Sequence, residues 1–226
     1  MEVVLLIQIS QKTPNVRPMQ IFIVGNADHL EEARLKFGSH HPVGLANEPV
    51  ILEKNELLFD FTIHDHPERV ARYLQLPGTI FLNCSFVSLH HLGVSHKLFG
   101  FCGLPTMFNR SLLEVSCAQA TDQEELKGVL SRLGTGYGLV ADQAGMVAPR
   151  IIARIINEAF LALEEGTATR SDIDLAMKLG TNYPWGPFEW CERLGQKNVL
   201  RLLESVYQNT GDQRYKSAES LRINTQ

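Results

Sequence analysis

Apolar positions recur at helical spacing in the second half of the chain. Ile151, Ile152, Ile155, Ile156, Ala159, Phe160 and Leu163 fall on one face, which predicts a long amphipathic helix. Gly166 is placed to end it, because glycine takes positive φ at no steric cost. Thr169 or Ser171 can cap the next helix, and Asp172 suits the positive end of its dipole. Gly180 is expected to close that helix. The run Tyr183-Pro-Trp-Gly-Pro forces a turn and starts a short helix at Phe188. A further apolar run at Val199, Leu200, Leu202, Leu203 and Val206 follows.

The first half has a different rhythm. Residues 2–9 are rich in Val, Leu and Ile, as a buried strand is. Strands are expected at 19–24, 49–52 and 56–63, with a helix over HLEEARLKF and a loop over 38–49. Pro67 suits the first turn of a helix running to about Leu74. Residues 78–92 read as a strand, a turn and a short helix. Further strands are expected at 97–103, 112–117 and 138–142. Thr121 with Glu124 three residues on reads as a capping box for a helix over 122–133. Alternating strands and helices indicate an α/β sheet. The expected organisation is a reduced Rossmann-like region over 1–142 and an all-α domain over 143–226.

Composition narrows the class. The 226 residues are 44% hydrophobic and 20% charged with a net charge of −4, which fits a globular protein and gives no basic surface for nucleic acid. Cys84, Cys102, Cys117 and Cys191 have no CxxC spacing and read as reduced thiols of a cytoplasmic protein. MEVVLLIQIS has a short apolar run and no basic segment, so it reads as a strand rather than a signal peptide. No run approaches the length of a membrane span.

A strand, Gly25 and a helix in succession invite comparison with a dinucleotide site, and Gly25 is the one candidate cofactor-binding position. The G-x-G-x-x-G fingerprint is broken, because Ala27 and Leu30 stand where the second and third glycines belong. Asp28, Glu31 and Glu32 add negative charge where two phosphates would sit. His40 with His41 has no third ligand at metal-binding spacing, and neither has His64 with His66. Both pairs therefore read as ordinary histidines, the first pair solvent-exposed. No metal is expected.

The order of short motifs from residue 142 onward carries more. Asp142, Gly145, Arg150, Asn157-Glu158-Ala159, Glu165-Gly166, Asp172-Ile173-Asp174 and Gly186-Pro187-Phe188 stand in sequence. This resembles the C-terminal domain of the 3-hydroxyacyl-CoA dehydrogenase family, with its D-x-x-G-F-[IV]-x-N-R entry, N-E-A, E-G, D-I-D and P-x-G-P-F motifs. Upstream, Leu82-Asn83-Cys84-Ser85 resembles the family's S-N-T-S-S-L strand end. Gly100 to Pro105 followed by Leu112-Leu113-Glu114-Val115 resembles G-x-H-F-F-N-P followed by L-V-E-V. The likeness covers roughly residues 78–210.

That resemblance implies an NAD-dependent oxidation of 3-hydroxyacyl-CoA in fatty-acid metabolism, a homodimer formed by the helical domain, and an acyl-CoA ligand. It places Ser85 on the substrate-hydroxyl serine, Glu114 on the glutamate that orients the catalytic histidine, and Cys102 on the histidine itself. Pro149 falls on the asparagine of the entry motif. A hydroxyl is oxidised when a base takes its proton as hydride leaves. Histidine suits that task because its pKa lies near neutrality. A thiol of ordinary pKa near 8.5 beside a carboxylate is a poor substitute. The expectation is a family member without NAD binding or dehydrogenase activity, serving as an acyl-CoA-binding or interaction protein. The alternative is an active NAD-dependent enzyme with an atypical site, or one pairing Cys102 with His90 or His91.

Overall fold

The computed structural model describes residues 6–8, 17–46 and 50–223. It divides into two compact units, Met1–Met146 and Val147–Gln226, four residues beyond the boundary read from the sequence.

The first unit is built on one sheet. Its strands are β1 (Leu6–Gln8), β2 (Ile21–Val24), β3 (Val43–Leu45), β4 (Leu57–Asp60), β5 (Thr79–Asn83), β6 (Leu98–Phe101), β7 (Leu112–Cys117) and β8 (Gly136–Leu139). They stand side by side in the order β1-β8-β7-β6-β5-β4-β2-β3. The central strands are parallel; β7 runs against β6, and β1 runs against β8. The helices of this unit are α1 (Ala27–Phe37), α2 (Arg69–Tyr73) and α3 (Gln123–Leu133). The chain leaves β2 through α1 to β3 on one side, then crosses to β4 on the other. The carboxyl ends of β2 and β4 therefore form a topological switch point, the place where open α/β sheets bind ligands.

Phenylalanines hold the sheet in register. Phe59, Phe81 and Phe99 are direct neighbours across β4, β5 and β6. Their ring centroids lie 4.6 and 5.5 Å apart. Phe101 and Phe108 meet Phe59 edge-on, Phe37 stacks on Phe59, and Phe61 packs edge-on against Phe101 and Phe108. Aromatic pairs of this kind add about 0.5–1.5 kcal/mol each beyond their burial.

The second unit contains α4 (Ala148–Glu164), α5 (Arg170–Thr181), α6 (Pro187–Leu194), α7 (Gln196–Thr210) and α8 (Glu219–Ile223). Ala153, Ile156, Ala159 and Phe160 of α4 are buried, whereas Ile151 is 53% exposed, so the buried stripe is narrower than the apolar spacing implies. Gly166 takes φ +69° after α4, and Thr169 caps α5 by accepting from the Asp172 N–H. α5 runs through Gly180 to Thr181 and ends at Asn182 with φ +56°, asparagine being one of the few side chains that tolerate this conformation.

Several expectations are corrected. Residues 38–49 contain β3, because Val43-Gly44-Leu45 pairs with the free side of β2 despite its loop-like composition. Residues 50–52 form no strand, and no helix follows β5 at 88–92. The first expected strand is described only at Leu6–Gln8. The Thr121 capping box does not form. Thr121 lies in a 3-10 turn, Asp122 precedes α3 without a side-chain cap, and the Glu124 carboxylate pairs with Lys127 at 2.6 Å.

His41 is a buried staple rather than a solvent-exposed histidine, at 3% exposure. Its Nδ1 accepts the Met19 N–H at 3.2 Å, and its Nε2 lies 3.3 Å from the Leu133 carbonyl, to which it donates as the Nε2–H tautomer. Both bonds use the neutral ring. Burial, with His40 nearby, holds its pKa below the ordinary 6.5 against the Leu133 bond. The neutral form is thus the folded one, so its stabilisation is complete above about pH 6.5 and is lost as pH falls below it. His41→Gln, which keeps a donor and an acceptor but does not titrate, is expected to flatten the fall in thermal stability between pH 7.5 and 5 by about 1 kcal/mol. Melts at both pH values check this; an equally steep fall in the variant would assign the effect to other groups.

Candidate functional site

Gly25, Ser85 and Cys102 sit just past strand ends of the first unit, and Glu114 lies within β7. Asn83 closes β5, and its side chain organises the turn that follows. Its Oδ1 accepts the Ser85 N–H at 3.1 Å and the Gly103 N–H at 3.0 Å, while its Nδ2 donates to the Phe61 carbonyl at 3.1 Å. Ser85 Oγ accepts the same Gly103 N–H at 3.1 Å and lies 3.9 Å from Cys102 Sγ. A Cβ on Gly103 would come within 2.7 Å of the Asn83 amide, so only glycine admits this knot.

Ser85 and Cys102 are therefore brought together, but inside the protein. Ser85 is 0% and Cys102 2% exposed. The Glu114 carbonyl accepts the Cys102 N–H at 3.1 Å, and the half-buried Glu114 side chain stands between buried Leu113 and Val115 on β7. Burial first, with the Glu114 charge adding to it, pushes the Cys102 thiol up to about 12 against hydrogen bonds from Leu104 and Ser85. Such a thiol carries almost no thiolate near neutral pH. His90 and His91 are not among its partners. The Asp142 carboxylate holds their turn by accepting the Leu89 and His90 N–H groups at 2.8 Å each, and His91 Nδ1 lies 3.1 Å from Ser88 Oγ.

Gly25 lies at the switch point. The next residue, Asn26, caps α1: its Oδ1 accepts the His29 N–H at 3.0 Å, and His29 Nδ1 accepts the Asn26 N–H at 3.2 Å. Burial lowers the His29 pKa, in keeping with its role as an acceptor. The imidazole stacks on Phe61 with centroids 4.4 Å apart, and a Cβ on Gly25 would collide with it. Opposite, Asp60 ends β4 with 0% exposure. It accepts from Tyr73 Oη at 2.8 Å, from Thr62 N at 2.7 Å and from Thr62 Oγ1 at 3.0 Å, with Arg69 at 3.4 Å. Asp60, Asn83 and His29 escape the sequence reading. The signal for Asp60 is a lone acid in an apolar strand with Arg69 and Tyr73 four apart on the following helix. Among the described residues, no group of three or more His, Cys, Asp or Glu could hold a metal ion.

In the second unit the motif residues are structural. Asn157 on α4 donates to the Lys216 carbonyl at 3.0 Å and accepts the Ala218 N–H at 2.8 Å. Asp174 on α5 accepts the Phe188 N–H at 2.8 Å and the Glu189 N–H at 3.3 Å at the start of α6. A Cβ on Gly186 would collide with the Asp174 side chain. Pro149 is buried in the first turn of α4.

Residues 145–223 match the model of the 3-hydroxyacyl-CoA dehydrogenase C-terminal domain. The helical unit is thus similar to that family's C-terminal domain. It is 48% identical to the 3-hydroxyadipyl-CoA dehydrogenase of Escherichia coli K12 over 83 residues, which are 37% of this chain and 18% of that relative. It is 33% identical to a probable 3-hydroxybutyryl-CoA dehydrogenase of Bacillus subtilis over 114 residues, 49% of this chain and 40% of that relative. The chain thus spans less than half the length of these relatives. In fold, the crystal structure of (S)-3-hydroxybutyryl-CoA dehydrogenase from Ralstonia eutropha is similar across 92% of this chain and 93% of its own, with a TM-score of 0.71 at 20% identity. The Rossmann-like sheet followed by a helical domain is therefore the architecture of the 3-hydroxyacyl-CoA dehydrogenases.

Two outcomes follow from this geometry. Iodoacetamide at pH 8 is expected to leave Cys84 and Cys102 unmodified in the native protein and to alkylate both after denaturation. Rapid native alkylation of Cys102, read by peptide mass, would make it a reactive nucleophile instead. Asp174→Ala removes both acceptors for the α6 N-terminus and should cost about 1–2 kcal/mol in a urea melt; a change within error would mean that the cap is not structural.

Proposed function

We propose that this chain is a member of the 3-hydroxyacyl-CoA dehydrogenase family that no longer runs NAD-dependent oxidation and retains an acyl-CoA-binding, homodimeric role. The observation that carries the reading is Cys102. A general base must reach the proton it takes and hold a pKa near the working pH. The thiol at the base's position is sealed beneath Ser85, with a pKa pushed up to about 12.

The switch point supports the same reading. A pyrophosphate is normally held by free N–H groups at a helix N-terminus and by glycines that let it approach. Here the Asn26 side chain already takes the His29 N–H, and the His29 ring covers Gly25 and stacks on Phe61. Asp28 and Glu32 are acidic residues on α1, the helix that a pyrophosphate would face. The residues present do not fit the cofactor.

The dimer reading draws on the second unit's surface. Ile151 on α4 is 53% exposed, Leu175 and Leu179 on α5 are 53% and 78% exposed, and Tyr183 follows at 41%. Leu175 and Leu179, four apart on one face of α5, are apolar side chains of the kind that interaction surfaces bury. A dimer by light scattering that becomes monomeric in Leu179→Glu is the expected result. A monomeric parent at high micromolar concentration would remove this part of the reading.

Separate titrations with NADH and acetoacetyl-CoA test the whole. Acetoacetyl-CoA is expected to bind and NADH to show no micromolar affinity. Cys102→His, alone or with Pro149→Asn, is expected to remain inactive toward 3-hydroxybutyryl-CoA and NAD, because a base with no hydride acceptor beside it lowers no barrier. Turnover by either variant clearly above the parent would favour an active dehydrogenase with an atypical cofactor site.

A further inference from the structure

The connection between β6 and β7 carries two energetic costs on one residue. Thr106 has φ +63°, in the left-handed region that a β-branched side chain rarely enters. Its Oγ1 is buried and has no hydrogen-bond partner among the described residues. A conformation of this kind persists only where the surroundings over-determine it. Here the determinant is Glu32 on α1, whose Oε1 accepts the Thr106 N–H at 2.7 Å.

The anchors on either side of Thr106 limit what can move. Phe108 is locked against Phe37, Phe59, Phe61 and Phe101. Lys36, one turn after Glu32 on α1, donates to the Arg110 carbonyl just beyond it. At the other end, the Cys102 N–H is tied to the Glu114 carbonyl of β7. Residues 103–107 lie between these anchors and are neither helix nor strand. Side chains hold their amides: Asn83 and Ser85 accept the Gly103 N–H, and Glu32 accepts the Thr106 N–H, while the Met107 N–H returns to the Leu104 carbonyl. A segment held by a few side chains, and not by a strand ladder, can open without the rest of the sheet. Beneath it lies the candidate pair, since the Gly103 N–H rests on Ser85 Oγ and the Leu104 N–H on the Cys102 thiol.

We propose that residues 103–107 form a strap that opens as a unit, latched shut by Glu32, and that its opening uncovers Ser85 and Cys102. Burial of Leu104 and Met107 and the Glu32 bond favour the closed form. Thr106 opposes it, because opening relaxes the backbone and lets water reach the hydroxyl. The strap is a property of the sheet unit and does not depend on the acyl-CoA reading.

The first test uses the unaltered chain without any ligand. Hydrogen exchange is followed across a urea series and read by peptide mass. The amides of residues 103–107 are expected to exchange through an opening of weak urea dependence, and those of β5 and β7 through one of steep dependence, because less surface is exposed when only the strap opens. Equal urea dependence in the two sets overturns the strap. The second test concerns the latch. Glu32→Ala is expected to speed iodoacetamide labelling of native Cys102 at pH 8 about tenfold, with exchange in β5 and β7 unchanged. Glu32→Gln keeps an oxygen for the Thr106 N–H and is expected to label close to the parent rate. Labelling that Glu32→Ala leaves unchanged overturns the latch. So does labelling that rises only together with faster exchange in β5 and β7, since the sheet itself has then loosened.

Discussion

The sheet depends on a row of phenylalanines. Phe59, Phe81 and Phe99 face one another across three parallel strands, and because side chains alternate along a strand, a slip of one residue would turn each ring to the other side. The rings thus fix the register, and the register fixes where β4, β5 and β6 end. Asp60, Asn83 and Phe101 stand at those ends. Phe61 and Phe101, two residues beyond members of the row, carry the cluster toward the switch point, where Phe61 meets His29. The chemistry available at the strand ends is thereby set by the aromatic row: an apolar floor on which buried polar groups must find partners from the chain itself.

They do so completely at the candidate positions. Asn83 divides its amide among Ser85, Gly103 and Phe61, and Asp60 gathers Tyr73, Thr62 and Arg69. A substrate hydroxyl would have to displace such bonds, and each buried group left unpaired costs about 1–3 kcal/mol. The family's chemistry needs groups that are aimed and waiting. Here the groups at those positions are aimed at each other.

The helical half was largely legible in the sequence, because its signals are local: a capping threonine at 169, a positive-φ glycine at 166, a Pro-Gly corner at 184–187. The motif order from Asp142 to Phe188 carries the resemblance to the 3-hydroxyacyl-CoA dehydrogenase C-terminal domain, which the match over residues 145–223 bears out. The sheet was legible in class but not in detail. β3 is three residues of unremarkable composition that become a strand only because β2 offers a free edge. The burial of His41 depends on Met19 and Leu133, which lie 22 and 92 residues away. The positions of Ser85, Cys102 and Glu114 followed from alignment to motifs. The enclosure of Ser85 and Cys102 did not, since it comes from the Asn83 amide and from the side chain that Gly103 lacks.

Asn157, Asp174 and Ser217 are the buried polar side chains of the helical unit, and each takes its hydrogen bonds from within that unit. Asp60, Asn83 and Ser85 do the same within the sheet. Each unit thus satisfies these buried groups with partners from its own stretch of chain. The chain is 48% identical to the E. coli relative over 83 residues, while in the sheet unit Ala27, Leu30 and Cys102 stand where the resemblance expects two glycines and a histidine.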